Sequence, residues 1–256
     1  MKTIEEGRAF LKGDLWSDWG DRQTDQQQGR PMPPLQKPLP EDATLLDLVS
    51  PKNLTAGTAP LIEVIAQRKS DRKFLPTPLT LEELSFLLWA TQGMRDDTNR
   101  RRTAPSAGAR HPFETYLIVD KVEGVEPGLY RYLPLDHKLL FLRADANFPE
   151  QVTEACRGQV FCGNSAAVFV WTAIPYRTEW RYDIIAHKMI ALDAGHLCQN
   201  LYLASTSIQA GTCGIGAYDH KRMDALIGVD GADEFTVYLA PVGKVCRLAK
   251  DSTGQA

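Results

Sequence analysis

The sequence predicts one large α+β domain, and three observations support this fold class. Apolar residues recur at helical spacing across residues 182–208, which predicts a long core helix. Short runs rich in β-branched and aromatic residues predict strands at 114–119, 128–133, 138–142, 166–174 and 235–242. The length of 256 residues suits one such domain with an additional arm, and no internal repeat is evident.

Composition excludes several classes of protein. A formal net charge of -3, with 43% hydrophobic and 24% charged residues, is typical of a soluble globular protein and argues against a nucleic-acid partner. Five cysteines without a C-x-x-C pair indicate neither a disulfide framework nor a zinc site, and the five histidines lack ligand spacing. The longest apolar run, 166–174, is too short to span a bilayer, and no signal peptide begins the chain. We therefore expect a cytoplasmic protein without a metal or a membrane partner.

Residues 1–58 are predicted to form an extended N-terminal arm on a body of residues 59–256. The arm is polar and carries a proline-rich stretch at 31–40, which favours an extended conformation. Phe10, Trp16, Trp19 and Leu35 recur along it as apolar anchors. We expect the arm to lie against the body or against a partner subunit.

The elements of the body follow in order. A helix begins near residue 60 and runs into a basic cluster at Arg68. A capping box of Thr80 and Glu83 starts a second helix, which Gly93 ends. After a loop at 105–112, residues 134–137 join two strands as a hairpin. Helices are predicted near 149–156 and 221–227, on either side of the long helix.

Three separated segments, 68–72, 105–109 and 211–217, together suit a flavin mononucleotide (FMN). The first has three cations and a hydroxyl for a phosphate, and the second has a hydroxyl on a loop of small residues. The third is glycine-rich, so its backbone amides can approach the flavin N5 atom.

Each segment also has a simpler interpretation when it is taken alone. The glycine run would be a helix cap in which Gly211 is the left-handed residue, the cations an exposed helix end, and the loop a turn. A dinucleotide fingerprint fails because the glycine run follows a helix instead of a strand, and a P-loop is absent. Asp183 and His187, one helical turn apart, would make a surface pair or a proton relay, and the surface pair is the favoured interpretation.

The order of these segments, with residues 193–201 between them, resembles the FMN-dependent nitroreductase family over about residues 60–245. Residues 84–93 and 128–132 look most like the branch that includes azoline (thiazole- and oxazole-forming) oxidases. The resemblance implies a mostly antiparallel central sheet flanked by helices, with 59–256 as the FMN-binding domain. It also implies an intertwined homodimer with two FMN sites, each built from both chains.

The resemblance assigns roles to individual residues. Arg68, Lys69 and Ser70 would hold the phosphate, and Arg72 would face the N1 and O2 side of the ring, where a cation makes reduction easier. The ring would be lined by Pro105, Ser106, Ala107 and Gly108, and the N5 side by Gly214, Ile215, Gly216 and Ala217. Arg247 is the preferred candidate for the C-terminal phosphate contact, ahead of Lys244 and Lys250. Family side chains of asparagine and glutamine are replaced here by Ala109 and His111.

The implied reaction is ping-pong transfer of a hydride from NADH or NADPH, through flavin N5, to a small organic acceptor. One alternative is a flavin-dependent dehydrogenase of a peptide or small molecule, in which Arg181 and Tyr182 stand where azoline oxidases carry a Lys-Tyr pair. Arginine stays protonated and is a poor base, so Tyr182 is the candidate proton-transfer group. Another alternative is a non-catalytic protein that stores or senses flavin.

Overall fold

One seven-stranded sheet organises the chain in the computed structural model, which describes residues 3–95 and 101–247. Its strands are β1 Leu45–Asp47, β2 Phe113–Val119, β3 Gly128–Leu133, β4 Lys138–Arg143, β5 Ala167–Ala173, β6 Ala210–Thr212 and β7 Phe235–Lys244. They lie in the order β1-β4-β3-β2-β5-β7-β6, and each neighbouring pair is antiparallel. The prediction of a mostly antiparallel sheet is confirmed.

Helices cover both faces of the sheet. They are α1 Ile4–Leu11, α2 Leu61–Gln67, α3 Leu81–Gln92, α4 Phe148–Ala155, α5 Val160–Gly163, α6 Tyr176–Tyr182, α7 Ala186–Ser207 and α8 His220–Ile227. Side chains alternate along the central strands, so Leu117 and Trp171 join α3 and α7 in one core. Tyr116 and Val170 join α4 and α8 in the core on the other face. Both faces of β2 and β5 are therefore buried, as their nearly continuous apolar sequence requires.

The predicted helix 182–208 is divided in the structure. It consists of the end of α6, a 3-10 turn over Asp183–Ile185, and α7. Asp183 has a left-handed φ of 47°, which interrupts helical hydrogen bonding, and its carboxylate accepts from Arg22 at 2.8 Å. The predicted pairing of Asp183 with His187 is wrong, because His187 Nε2 lies 2.8 Å from Glu179 Oε1. A contact with the N-terminal arm thus lies at the break between α6 and α7.

Local capping signals were predicted correctly. The Thr80 hydroxyl accepts from the Glu83 N–H, and the Glu83 carboxylate accepts from the Thr80 N–H, which completes the capping box of α3. Gly93 follows the last residue of the helix. A Cβ at Gly93 would lie 2.3 Å from the Trp89 ring, so this position needs glycine.

The N-terminal residues are held against the body at several points. Strand β1 pairs with β4 at the sheet edge, a pairing that the sequence analysis did not predict. The Lys37 N–H donates to Glu114 Oε1 at 3.0 Å, and Arg102 donates to the Leu35 carbonyl at 2.7 Å. These bonds fix the proline-rich stretch on the core, while the division of the chain at residue 58 stays a prediction.

Within residues 3–95 and 101–247, no helix is long and apolar enough to cross a bilayer. No cluster of three histidine, cysteine, aspartate or glutamate side chains in the same ranges could hold a metal ion.

His137 makes the stability of the hairpin depend on pH. Its Nε2 lies 3.0 Å from the Val49 carbonyl, which can only accept, so Nδ1 accepts from the Tyr132 hydroxyl at 2.8 Å. Burial lowers the pKa of His137, an effect that the bond to Val49 partly offsets. A histidine with a lower pKa when folded binds fewer protons than the unfolded chain, so its contribution is present above about pH 6.5 and is lost at lower pH.

We therefore expect acidification to destabilise the wild-type chain more than His137→Gln. The measurement is urea unfolding at a series of pH values between 7 and 5. Equal slopes of unfolding free energy against pH in the two proteins would contradict this assignment.

Candidate functional site

Tyr202 of α7 joins two of the three segments. Its hydroxyl accepts the Gly214 N–H at 2.8 Å and lies 3.0 Å from Ser70 Oγ. The Arg68 guanidinium stacks on the Tyr202 ring, with Cζ 5.3 Å from the centroid. The basic segment and the glycine run thus form one platform, which we call the Tyr202 platform: Arg68, Ser70, Tyr202 and Gly214. Sequence reasoning missed Tyr202, because nothing distinguishes it from the apolar residues around it on the helix.

The backbone of segment 68–72 is fixed beside β6. The Asp71 N–H donates to the Thr212 carbonyl at 2.9 Å, and Ser70 bridges Thr212 in parallel register. A Cβ at Gly211 would lie 2.6 Å from Asp71, so glycine is required for this approach. The interpretation of Gly211 as a left-handed helix cap is wrong. Gln209 takes that conformation, with φ 58°, and Gly211 lies in the strand.

Two further glycines of the run lie in opposite environments, one closely packed and one open to solvent. A Cβ at Gly214 would lie 2.2 Å from Tyr238 Oη and 3.0 Å from Cys198 Sγ, so the backbone here is pressed into the core. Gly216 is exposed, and no atom lies within 4 Å of its Cβ position. The N–H of Ile215 between them donates to the Leu239 carbonyl at 2.8 Å and fixes this orientation. Gly216 and Ala217 therefore present backbone that a planar ring can approach closely.

The cations of segment 68–72 differ in whether a protein carboxylate pairs with them. Lys69 Nζ lies 3.6 Å from Asp71 Oδ1 and is largely exposed. Within residues 3–95 and 101–247, neither Arg68 nor Arg72 has an ion-pair partner. The Arg68 guanidinium on the platform and the exposed Arg72 in the same segment, both without a protein carboxylate in the described ranges, suit the phosphate and the ring edge of FMN.

Arg247 lies beside the basic segment, but its guanidinium already binds other groups of the protein. Its guanidinium donates to the Ala210 carbonyl at 2.8 Å, to Asp71 Oδ2 at 3.3 Å and to the Gln67 carbonyl at 3.3 Å. Arg247 therefore braces the basic segment, and its contact with phosphate stays a prediction. Lys244 pairs with Glu83, and Lys250 lies outside the described residues.

The loop at 105–109 is anchored on Asp193 of α7. The Ala107 N–H donates to the two Asp193 carboxylate oxygens at 3.2 and 3.3 Å, and the Ser106 hydroxyl donates to the same carboxylate. Burial raises the pKa of Asp193, although these hydrogen bonds partly offset the effect. Gly108 has a left-handed φ of 56°, which turns the loop outward and leaves Pro105 and Gly108 exposed. The sequence analysis quoted Asp193 within a motif but gave it no role.

Asp193→Asn is expected to lower FMN affinity about tenfold while changing the unfolding free energy by less than about 1 kcal/mol. The amide loses charge-assisted bonds to the loop, but it also removes the cost of a buried charge. Equilibrium dialysis against FMN and urea unfolding measure the two effects. Asp233→Asn, at an exposed carboxylate, is the control, and unchanged FMN affinity in Asp193→Asn would contradict the role.

Arg181 and Tyr182 lie directly against this loop. A Cβ at Gly108 would lie 2.7 Å from Tyr182 Oη and 2.9 Å from Arg181 Cδ. Arg181 stacks on Tyr182, with Cζ 5.6 Å from the ring centroid. The structure thus brings the predicted catalytic pair to the loop that was predicted to line the flavin.

The loop and the Tyr202 platform do not meet within one chain. Asp193 and Tyr202 are nine positions apart on α7, which is two and a half turns, or about 14 Å along the axis. They therefore lie on opposite faces of the helix. The second predicted segment, 105–109, therefore lies on a different surface from segments 68–72 and 211–217.

The comparisons with known proteins identify the family. The family model "Nitroreductase family" matches residues 65–244, so the chain belongs to the nitroreductase family. It is 33% identical over 184 residues to MJ1384 of Methanocaldococcus jannaschii, a protein named as a nitroreductase, covering 72% of this chain and 90% of that one. It is 29% identical over 146 residues to the trifolitoxin-processing protein TfxB of Rhizobium leguminosarum bv. trifolii, covering 51% of this chain and 38% of TfxB.

Solved structures agree with the fold. A crystal structure from Ralstonia eutropha JMP134, described as a nitroreductase, has a TM-score of 0.67 and 27% identity, covering 85% of this chain and all of that one. A chain of the E. coli microcin synthetase McbBCD complex, solved with truncated pro-MccB17, has a TM-score of 0.60 and 18% identity, covering 96% and 99%. At that identity the likeness shows the fold alone.

The predicted family, fold and cofactor are confirmed at the level of the family. A nitroreductase from Desulfovibrio desulfuricans was solved in complex with FMN; its TM-score is 0.52 at 16% identity, covering 77% of this chain and 92% of that one. The predicted likeness to the peptide-processing branch agrees with the similarity to TfxB. The individual site residues stay predictions.

Proposed function

We propose that this chain is an FMN-dependent oxidoreductase that transfers a hydride from NADH or NADPH to a small organic acceptor. The observation that carries the proposal is the Tyr202 platform. There the Arg68 guanidinium, which has no ion-pair partner among the described residues, stacks on Tyr202, and the Tyr202 hydroxyl binds Ser70 and the glycine run that leads to exposed Gly216. Bound FMN would supply the hydride chemistry at its N5 atom. In the structure the glycine run begins in β6 and precedes α8, contrary to the sequence prediction that it directly follows a helix. Its glycines at 211, 214 and 216 nevertheless lack the G-x-G-x-x-G spacing of a dinucleotide site, which suits a nicotinamide that stacks on the flavin.

The protein groups would bind and orient the cofactor. Arg68, Lys69 and Ser70 would hold the phosphate, since all three lie where α2 ends. Arg72 would place a fixed positive charge beside the pyrimidine edge of the ring, which stabilises negative charge there. Gly216 and Ala217 would donate backbone N–H groups on the N5 side; both residues are exposed, and among the described residues no atom lies within 4 Å of the Gly216 Cβ position.

The complete site is proposed to need two copies of the chain. The Pro105–Gly108 loop and the Tyr202 platform lie on opposite faces of α7, so one ring cannot contact both in the same chain. Apolar side chains on α2 are more than half exposed, namely Leu61, Ile62 and Ile65. They adjoin a groove lined by Phe86, Trp89 and Leu203. A second copy of the chain would cover this surface and complete each FMN site.

The compartment that we propose is the cytoplasm. Cys156, Cys162, Cys198 and Cys213 are buried free thiols, and Cys246 is an exposed free thiol. Free thiols of this kind suit a reducing environment.

A flavin-dependent dehydrogenase of a peptide or small molecule is the second candidate function. It is favoured by the position of Tyr182 Oη at the Gly108 loop and by the similarity to TfxB. In this function Tyr182 would accept a proton while the substrate loses a hydride to the flavin. Arg181 would not act as the base, because its guanidinium stays protonated.

Initial rates test the leading proposal. With NADH or NADPH and a quinone varied together, double-reciprocal plots should give parallel lines, as expected when nicotinamide leaves before the acceptor binds. Intersecting lines would contradict the ping-pong order. Loss of turnover in Tyr182→Phe, with FMN still bound, would move support to the second function. If neither nicotinamide nor any added substrate reduces the bound FMN, flavin storage is the function that remains.

A further inference from the structure

Two tryptophans of the N-terminal arm pack around Tyr182. The ring centroids of Trp16 and Trp19 lie 6.4 and 6.3 Å from the Tyr182 centroid, and 5.2 Å from each other. The interplanar angles are 74°, 38° and 50°, so the rings do not stack flat on one another. Three aromatic side chains therefore surround one point beside the Gly108 loop.

The arm is fixed on both sides of this cluster. The Gln26 N–H donates to the Trp180 carbonyl at 2.9 Å, and Trp180 Nε1 donates to the Arg30 carbonyl at 3.0 Å. Arg22 pairs with Asp183 at 2.8 Å, and Lys188 donates to the backbone of residues 11 and 12. The tryptophans are thus positioned by bonds to the helices that carry Arg181 and Tyr182. All of these arm residues precede the segment, 65–244, that the family model matches.

The cluster keeps an open aromatic surface and a free cation. Trp16 remains 44% exposed, although burial of a large aromatic side chain stabilises a folded protein. Arg22, Arg30 and Lys188 near the cluster all bind a carboxylate or carbonyls. In the part of the chain that the structure describes, Arg181 has no such partner; its guanidinium lies over the Tyr182 ring, and its side chain lies beside Gly108 of the loop.

We propose that Trp16, Trp19, Tyr182 and Arg181 form the acceptor-binding site, and that it takes a planar aromatic molecule that carries a carboxylate. The rings give the ligand flat apolar surfaces, and the guanidinium gives a fork of donors that matches a carboxylate. The arm, which lies outside the family match, then determines which acceptor is used. This inference rests on the proposed function, because the acceptor would receive its electrons at the adjoining flavin.

Calorimetric titration of the FMN-reconstituted full-length chain with 2-naphthoate and with uncharged 2-naphthamide tests the site. Wild-type protein should bind 2-naphthoate at least about tenfold more tightly than the amide, which corresponds to one charge-assisted contact. Trp16→Leu and Trp19→Leu should each weaken both ligands about fivefold to tenfold, the usual contribution of one stacked ring. Arg181→Gln should weaken only the carboxylate, and Arg8→Gln, at an exposed arginine of α1, should change neither.

Kinetics give a second measurement. The tryptophan variants should raise KM for an aromatic carboxylate acceptor while the rate of flavin reduction by NADH stays within about twofold. Equal affinity of the wild type for the two probes, or unchanged affinity in the Trp16 and Trp19 variants, would overturn the proposal. A rise confined to the KM for the nicotinamide would also overturn it, because the cluster would then bind the donor.

Failure of the proposed function would look different. A chain that binds no FMN, or whose FMN no nicotinamide reduces, refutes the hydride transfer. The naphthoate titration still reports on the aromatic cluster in that case, because protein side chains alone build it.

Discussion

Gly214→Ala is expected to raise the dissociation constant of FMN at least about tenfold and to lower the unfolding free energy by about 1–3 kcal/mol. The new methyl group would lie 2.2 Å from Tyr238 Oη and 3.0 Å from Cys198 Sγ, and neither neighbour can withdraw from the core without cost. The backbone of Gly214 would have to shift and would pull its N–H away from Tyr202. Since Tyr202 also positions Arg68 and Ser70, the whole phosphate platform would be displaced.

Equilibrium dialysis against FMN measures the affinity, and urea unfolding measures the stability. Gly7→Ala is the matched control, because its methyl group meets no atom within 4 Å on α1. FMN affinity in Gly214→Ala equal to that of the control would contradict the role of the platform.

Arg177→Leu is expected to lower the unfolding free energy by about 3–5 kcal/mol. Arg177 and Glu114 form an ion pair at 2.5 Å in which each side chain is only 2% exposed. Glu114 also accepts the Lys37 N–H, which ties the arm to the sheet. Removal of the guanidinium leaves a buried carboxylate without its counter-charge, and this is the costly state.

Arg222→Leu serves as the control for this pair. Arg222 and Glu154 lie 3.0 Å apart with side chains 62% and 58% exposed, so that ion pair is worth less than about 1 kcal/mol. Adding Glu114→Gln to Arg177→Leu should restore part of the lost stability, because it removes the unpaired charge. Equal destabilisation by Arg177→Leu and Arg222→Leu would contradict the account of the buried pair.

Short-range signals explain which parts of the fold could be predicted from the sequence. The capping box of α3, the hairpin of β3 and β4, and the buried strand β5 all depend on residues that are close in the chain. Strands β1 and β6 were missed, because three residues carry too little pattern and their partners are distant in the sequence. The break at Asp183 was also missed; the Asp183 carboxylate there accepts from Arg22, which is 161 positions away in the sequence.

At the candidate site, too, the contacts between residues distant in the sequence could not be predicted. Its basic and glycine segments were found as separate pieces, while the residue that joins them, Tyr202, was not. Asp193 appeared in a motif but its anchoring of the loop depends on a contact across 86 positions. The aromatic cluster joins Trp16 to Tyr182, which are 166 positions apart, and no spacing rule in a single sequence reports such a contact.

The visible absorption spectrum of the purified, FMN-reconstituted chain during anaerobic titration with NADH and then NADPH is the most direct test of the central claim. We predict a bound-flavin spectrum that at least one nicotinamide bleaches, with recovery when an aromatic acceptor is added. A chain that retains no flavin after reconstitution and desalting would contradict the assignment of the Tyr202 platform as an FMN site. A bound flavin that neither nicotinamide bleaches would contradict the proposed hydride transfer.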